Sequence, residues 1–225
     1  LAATAVPLLC LYLFVLPVLD GYAYRERAKE LRKAPWAERK QLLEQAVEAC
    51  PWEAENYAAL ASVLFHQSLH TDRLTAEGQS FLSQAIQTIQ PAIALRCHYA
   101  GYHADLGRMH EVRWRRKGVV QDWNDAFNAY AEAERLAPTI PDTALNLGRL
   151  HDLAGQHQTA VAKYLRALTV SELCQSNREL SPAARDEIIA RIETINEAAE
   201  RDASPPQLFF EHQRLRAIPV LPQPL

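Results

Sequence analysis

Between Pro141 and Val170 small residues recur at Ala144, Gly148, Gly155, Ala160 and Ala167, and large apolar ones fill the gaps at Leu147, Leu150, Tyr164 and Leu168. Two helices packed face to face along their length need this alternation, because a small residue on one lets a bulky side chain of the other approach. The pattern predicts a helix that stops after Leu153 at Gly155, and a second that starts near His157. Upstream the periodicity recurs less regularly. Pro35 suits the first turn of a helix whose apolar stripe is Leu42, Leu43, Ala46 and Val47. Tyr57, Leu60, Ala61 and Leu64 form the next stripe, followed by Phe81, Leu82, Ala85, Ile86 and Ile89 in the stretch from Thr75 to Gln90. Pro91 is expected to open a helix carrying Tyr99, Ala100, His103 and Gly107, whose partner carries Ala126, Tyr130 and Ala133 before Pro138. With Gly107 as the turn glycine, eighteen residues precede Ala126, where four separate Gly155 from Ala160, so the segment starting at Arg108 reads as an insert.

Both ends break the pattern. Ser181 and Pro182 read as the cap and first position of a helix with Ile188, Ile189, Ile192 and Ile195 on one face and Glu193, Glu197, Glu200 and Asp202 on the other. One apolar stripe backed by charge is what the last helix of a stacked array requires. From Ser204 onward five prolines exclude a regular helix, and Phe209, Phe210, Ile218 and Leu221 are candidates for docking on the array or on a partner. At the other end Leu1–Leu19 contains no charge, and about twenty apolar residues span a bilayer core. Residues 1–20 are therefore expected to form a transmembrane helix, kinked at Pro7 and Pro17 and packed against other spans. Tyr22 and Tyr24 follow at the position of an aromatic belt, and Arg25, Arg27, Lys29, Arg32 and Lys33 make 21–34 a basic juxtamembrane helix. That excess of cations places the following part on the cytoplasmic side. The alternative is an exposed helix whose bases pair with Glu26 and Glu30.

The pair Leu147-Gly148, the turn glycine Gly155, and Ala160, Tyr164 and Ala167 fall at the signature offsets of the tetratricopeptide repeat (TPR), about 34 residues long. The resemblance covers roughly 35–174 and implies an all-α fold. In it a TPR-like solenoid of about three repeats plus an N-terminal half repeat is followed by a capping helix at 181–203 and a proline-rich tail at 204–225. The family also implies a concave groove, lined by first helices, that binds peptides. Carried over by offset, it would show Phe65, His66, Cys97 and Asp105, and in the last repeat Asp142, Leu145, Asn146, Arg149 and Asp152. Chaperone-binding members clamp a C-terminal carboxylate with several Lys, Arg and Asn residues; this chain offers Asn146 and Arg149 in one repeat. The order of apolar span, basic stalk and irregular repeats also resembles the C-terminal region of bacterial O-antigen ligase or polymerase-type membrane proteins, whose catalytic residues would lie upstream.

Composition narrows the functional classes. A net charge of −3 over 225 residues gives no general attraction to nucleic acid, and no nucleic-acid partner is expected. Cys10, Cys50, Cys97 and Cys174 lack CxxC spacing and read as free buried thiols. His98 and His103, and His151 and His157, miss the i, i+4 spacing of a helical metal pair. No phosphate-cradling loop or nucleophile elbow occurs, so neither enzyme activity nor a cofactor is expected. The most unusual local chemistry is the insert, where Arg108, Arg113, Arg115, Arg116 and Lys117 surround Trp114. Such a cluster suits anionic lipid or an acidic partner; a solvated extension of the preceding helix is the plainer reading. The sequence thus points to a single-pass membrane scaffold that contacts membrane proteins of one complex.

Overall fold

The computed structural model describes residues 12, 15–31, 34–72, 75–173 and 179–201. Nine helices run through them: α1 Leu16–Glu30, α2 Trp36–Ala49, α3 Ala54–His70, α4 Ala76–Leu95, α5 Ala100–Lys117, α6 Val120–Leu136, α7 Pro141–Leu153, α8 His157–Leu173 and α9 Pro182–Arg201. Local chemistry sets their ends. The Thr75 hydroxyl accepts from the Gly78 amide at 3.2 Å, and the Ser181 hydroxyl accepts from the Ala184 amide at 3.2 Å, each satisfying a first-turn donor. Gly118 and Gly155 take φ values of 67° and 74°, a left-handed conformation that stops α5 and α7 and that a Cβ would strain.

The helices group into two units, Leu1–Thr139 and Ile140–Leu225. In the first, α1 to α6 follow one another as antiparallel neighbours, each packed on the next. Leu43, Leu60, Leu64, Leu82, Ile89 and Met109 fill its core from four of these helices. In the second, α7 and α8 form the hairpin anticipated at Pro141–Val170, and α9 packs on α8. Ile188, Ile192 and Ile195 join the core around Ala144, Tyr164 and Leu168, while Ile189 stays exposed on the adjoining face. Each buried isoleucine contributes about 1.5–3 kcal/mol to holding α9 on this hairpin.

Three features depart from expectation. Pro91 does not open a helix; it lies inside α4, whose apolar stripe continues to Ala92, and the next helix starts at Ala100. One missing N–H is tolerated in the last turns of a long helix already anchored by Leu82, Ala85 and Ile89. Gly107 is not a turn residue; the turn is at Gly118, four residues further from Gly107 than Gly155 is from Gly148. The supposed insert is therefore about one extra turn on each of α5 and α6. Finally, α2 is not a lone half repeat. Helix α1 packs on it, with Gly21 and Ala28 buried; a Cβ on Gly21 would sit 2.9 Å from Cβ of Cys50.

Among the described residues no helix is long and apolar enough to cross a membrane. Most of the apolar run 1–20, together with Cys10, Cys174 and the tail from Ser204, lies outside those residues. Of the other two cysteines, Cys50 is buried and Cys97 exposed, and both are free thiols.

Candidate functional site

Two hairpins repeat one device. A Cβ at Gly107 would meet Cδ1 of Tyr130 at 2.7 Å, and one at Gly148 would meet Cδ1 of Tyr164 at 2.6 Å, so each glycine admits a tyrosine ring from the facing helix. Four residues after each glycine stands a carboxylate one helical turn along, which the same tyrosine reaches. Tyr130 donates its hydroxyl to Oε2 of Glu111 at 2.9 Å, and Tyr164 donates to Oδ2 of Asp152 at 3.4 Å. Burial drives both phenols well above their ordinary range, and the neighbouring carboxylates push the same way.

The basic segment is partly engaged across the fold and partly exposed. Arg108 bonds to Asp105 at 2.6 Å, and Arg115 to Glu111 at 2.6 Å. Arg116 donates to the Ser68 carbonyl at 2.8 Å and ties α5 to the end of α3. Arg113 donates through Nε to Oδ1 of Asp122 at 2.6 Å, and its terminal nitrogen reaches Nδ1 of His110 at 3.2 Å. Trp114 is half-buried, and Lys117 stands exposed at the tip. Arg113 and Arg116 thus brace α5 against α6 and α3, while Arg108 and Arg115 make exposed pairs within α5.

The groove positions carried over from the family divide by unit. In the first unit Phe65 is buried in the core, His66 and Cys97 are exposed, and Asp105 is half-buried against Arg108. In the second, Leu145 is buried, Asn146 half-buried and Asp142 exposed, while α9 occupies the two central charges. Arg149 binds both carboxylate oxygens of Glu187 at 2.8 and 2.9 Å. Asp152 receives Nε and a terminal nitrogen of Arg191 at 2.6 and 2.9 Å, with His157 at 3.1 Å. A carboxylate clamp at Arg149 would first have to release Glu187.

The Arg191 hydrogen bond holds the Asp152 carboxyl below its ordinary value of 3.8. A depressed carboxyl stabilises the fold fully above its unfolded pKa and loses that contribution as pH falls through the folded value. Asp152→Asn should therefore cost about 1–2 kcal/mol at pH 7 and progressively less below pH 4, measured by acid titration of hydrogen exchange in α7 and α9. An equal cost at pH 7 and pH 3 would show that the charge is irrelevant.

A cleft with polar groups at its ends lies between α4, α5 and α6, with a volume of about 440 Å³. His103, Leu106 and His110 line it from α5; Asp125, Ala129 and Glu132 line it from α6; and Ile86 and Gln90 close the third side from α4. Both facing helices thus present polar, apolar and polar positions over two turns. Because they run antiparallel, His110 comes opposite Asp125 at 3.7 Å and His103 falls at the Glu132 end. None of the groove positions from the sequence lines this cleft.

His110, Asp122 and Asp125 hold one ligand atom each within 4.8 Å of one another, a spacing a divalent ion could use. Arg113 fills that role instead: its guanidinium bonds to Asp122 and donates to the Nδ1 lone pair of His110. Burial, followed by Arg113, lowers the His110 pKa and keeps that ring neutral. An ion there would have to displace a buried cation. His110 escaped sequence reasoning because its partners lie across a turn on the next helix; the only available signal was the acidic pair Asp122 and Asp125 opening that helix.

No family model matches the chain, and no curated protein does. Solved structures share the architecture. MamA superposes with a TM-score of 0.55 at 16% identity over 83% of this chain and 98% of its own. YrrB, described as "a TPR protein with an unusual peptide-binding site", gives 0.51 at 16% identity over 67% and 68%. The human IFIT1 dimer with m7Gppp-AAAA gives 0.64 at 17% identity over 81% of this chain and 39% of its own. At such identities the likeness is one of fold: the chain is a TPR-like array of stacked helical hairpins. The Gly107–Tyr130 and Gly148–Tyr164 contacts are where its own sequence carries that architecture.

Proposed function

We propose that the chain is a non-catalytic scaffold, anchored in a membrane through residues 1–20, whose hairpins engage membrane proteins of one complex. The start of α1 carries this reading. Val15, Leu16, Leu19 and Tyr22 are exposed apolar side chains, with Leu19 at 55%, on a helix that continues unbroken into the first hairpin. An apolar patch of that kind marks an interface, and the uncharged run before it in sequence matches the length of a bilayer span. Arg27 and Lys29 remain exposed beyond it, which supports a cytoplasmic array by the positive-inside tendency. The charged groups that resemble catalytic sets are engaged with one another: Asp152 with Arg191 and His157, and Asp122 with Arg113.

Native membranes washed with carbonate and then extracted in mild detergent test the reading. The chain is expected in the detergent extract with stoichiometric protein subunits, and L16D/L19D should move it to the wash, since an aspartate within a span costs about 3 kcal/mol. Release of the native chain by carbonate would sink the anchor. Recovery of the chain alone would sink the scaffold. Hydrophobic peptides of the same polypeptide upstream of Leu1 would replace the scaffold with the tail of a multi-span enzyme.

A further inference from the structure

The cleft between α4, α5 and α6 has a chemistry that the scaffold reading does not specify. Its floor is apolar, formed by Ile86, Leu106 and Ala129. At one end the Asp125 carboxylate bonds only to the Gln121 amide, at 2.8 Å, with His110 at 3.7 Å; no Lys or Arg among the described residues bonds to it. His110 adds no positive charge, because Arg113 already donates to its Nδ1. At the other end stand Glu132 and His103. Nε2 of His103 lies 2.9 Å from the Cys97 carbonyl; a carbonyl can only accept, so the neutral ring keeps Nδ1 as an acceptor. Glu132 accepts from Arg135 through both oxygens, at 2.7 and 2.6 Å, an exposed pair within one helix that contributes little, so a competing cation can replace it.

The Asp125 end therefore offers a carboxylate with no bonded cation, and the Glu132 end one that exchanges Arg135 for an incoming cation, separated by an aliphatic floor. Lysine and arginine are the complement: donor-only heads on methylene stems that lie along apolar surface. Asp125 and Glu132 are seven residues apart on α6, about 10 Å along the axis; in an extended peptide alternate side chains share a face, so positions i and i+4, about 13 Å apart, reach both carboxylates through their flexible stems. We propose that this cleft binds an extended segment of a protein partner that carries two basic side chains four positions apart, with an apolar residue midway between them on the same face. Asp125 and Glu132 each take one basic head, and the apolar residue rests on Leu106 and Ala129.

The inference rests on the scaffold reading but is tested without membranes or native partners. The probe is the peptide acetyl-Gly-Lys-Ala-Leu-Ala-Lys-Gly-amide, titrated into the full chain in detergent and followed by amide shifts of Asn128 and Ala129. Saturable shifts are expected there. D125N/E132Q should weaken binding by about tenfold, while D105N, which changes an acid outside the cleft, should leave it unaltered. Replacing both lysines of the probe by norleucine should abolish the shifts. Equal binding of the norleucine peptide, or no loss in D125N/E132Q with an unchanged melt, overturns the proposal; so does the absence of any shift. Recovery of partner subunits from membranes that persists in D125N/E132Q would also remove the cleft from their recognition while leaving the scaffold intact.

Discussion

Replacing Arg113 by alanine should lower the stability of the first unit by about 3 kcal/mol at pH 8, one of the two largest single-residue effects expected in this chain. The reason is the company it keeps. Asp122 opens α6 with its side chain only 6% exposed, and the guanidinium of Arg113 is its bonded cation. The α6 N-terminus helps a carboxylate there, but a helix end supplies about half a charge, not a whole one. Removing the arginine leaves a buried anion, and the lone pair of His110 is left facing Asp122 at 3.6 Å and Asp125 at 3.7 Å.

Proton uptake is the available remedy, which fixes the sign of the pH dependence. Without Arg113 the Asp122 carboxylate is left without its bonded cation, and the folded pKa of His110 rises as Arg113 no longer opposes its charge. Groups with raised folded pKa values contribute stability at low pH and lose it as pH climbs through the folded value. The deficit of R113A should therefore shrink between pH 8 and pH 5, and R113A/D122N should recover much of it at pH 8 because the buried charge has gone. All four tryptophans lie in this unit, two of them beside the pair at Trp114 and Trp123, so denaturation followed by their fluorescence reads it directly. A loss within about 0.5 kcal/mol, independent of pH, would return Arg113 to the role of an exposed lipid or partner contact.

That contrast shows what the sequence could and could not disclose. Local rules worked wherever one helix or one turn settled the matter. Gly155 and Ser181-Pro182 announced helix ends, and the small and large positions of Pro141–Val170 gave a hairpin whose contacts are largely within one repeat. Gly107 misled because glycine has two uses, a left-handed turn or a close approach, and only the facing Tyr130 distinguishes them. Glu111 and Asp152, each four residues past its glycine, were legible as a repeated offset, but their value depends on a tyrosine hydroxyl from the other helix. The pairing within the basic cluster Arg108–Lys117 was not legible for a related reason: composition gives the sign of a charge and not the position of its counterion. Asp105, Glu111 and Asp122 lie within a few turns of those arginines, yet which of them are buried follows from tertiary packing. The cleft needed three helices, and no pattern along a single one marks it.

Gly148→Leu should cost the second unit about 3 kcal/mol, lowering its melting temperature by roughly 10 °C. Tyr164 is almost fully buried and its ring already lies against the α7 backbone, so even the first carbon of a new side chain would come within 2.6 Å of it. The ring has little freedom to retreat. Ala160, Ala167 and Leu168 share the same core, and its hydroxyl points at Asp152. Relief must come from separating α7 and α8, which would also pull Asp152 from Arg191 and Arg149 from Glu187 and loosen α9. The effect should thus appear as faster amide exchange in α7, α8 and α9 together. Tyr164→Ala in the same chain supplies the test of cause: if steric conflict is the origin, G148L/Y164A loses less than the two single changes combined, because leucine enters the space vacated by the ring. Strict additivity, or G148L with native exchange rates, would place Gly148 outside the contact surface and remove the internal symmetry with Gly107 and Tyr130 on which the repeat register stands.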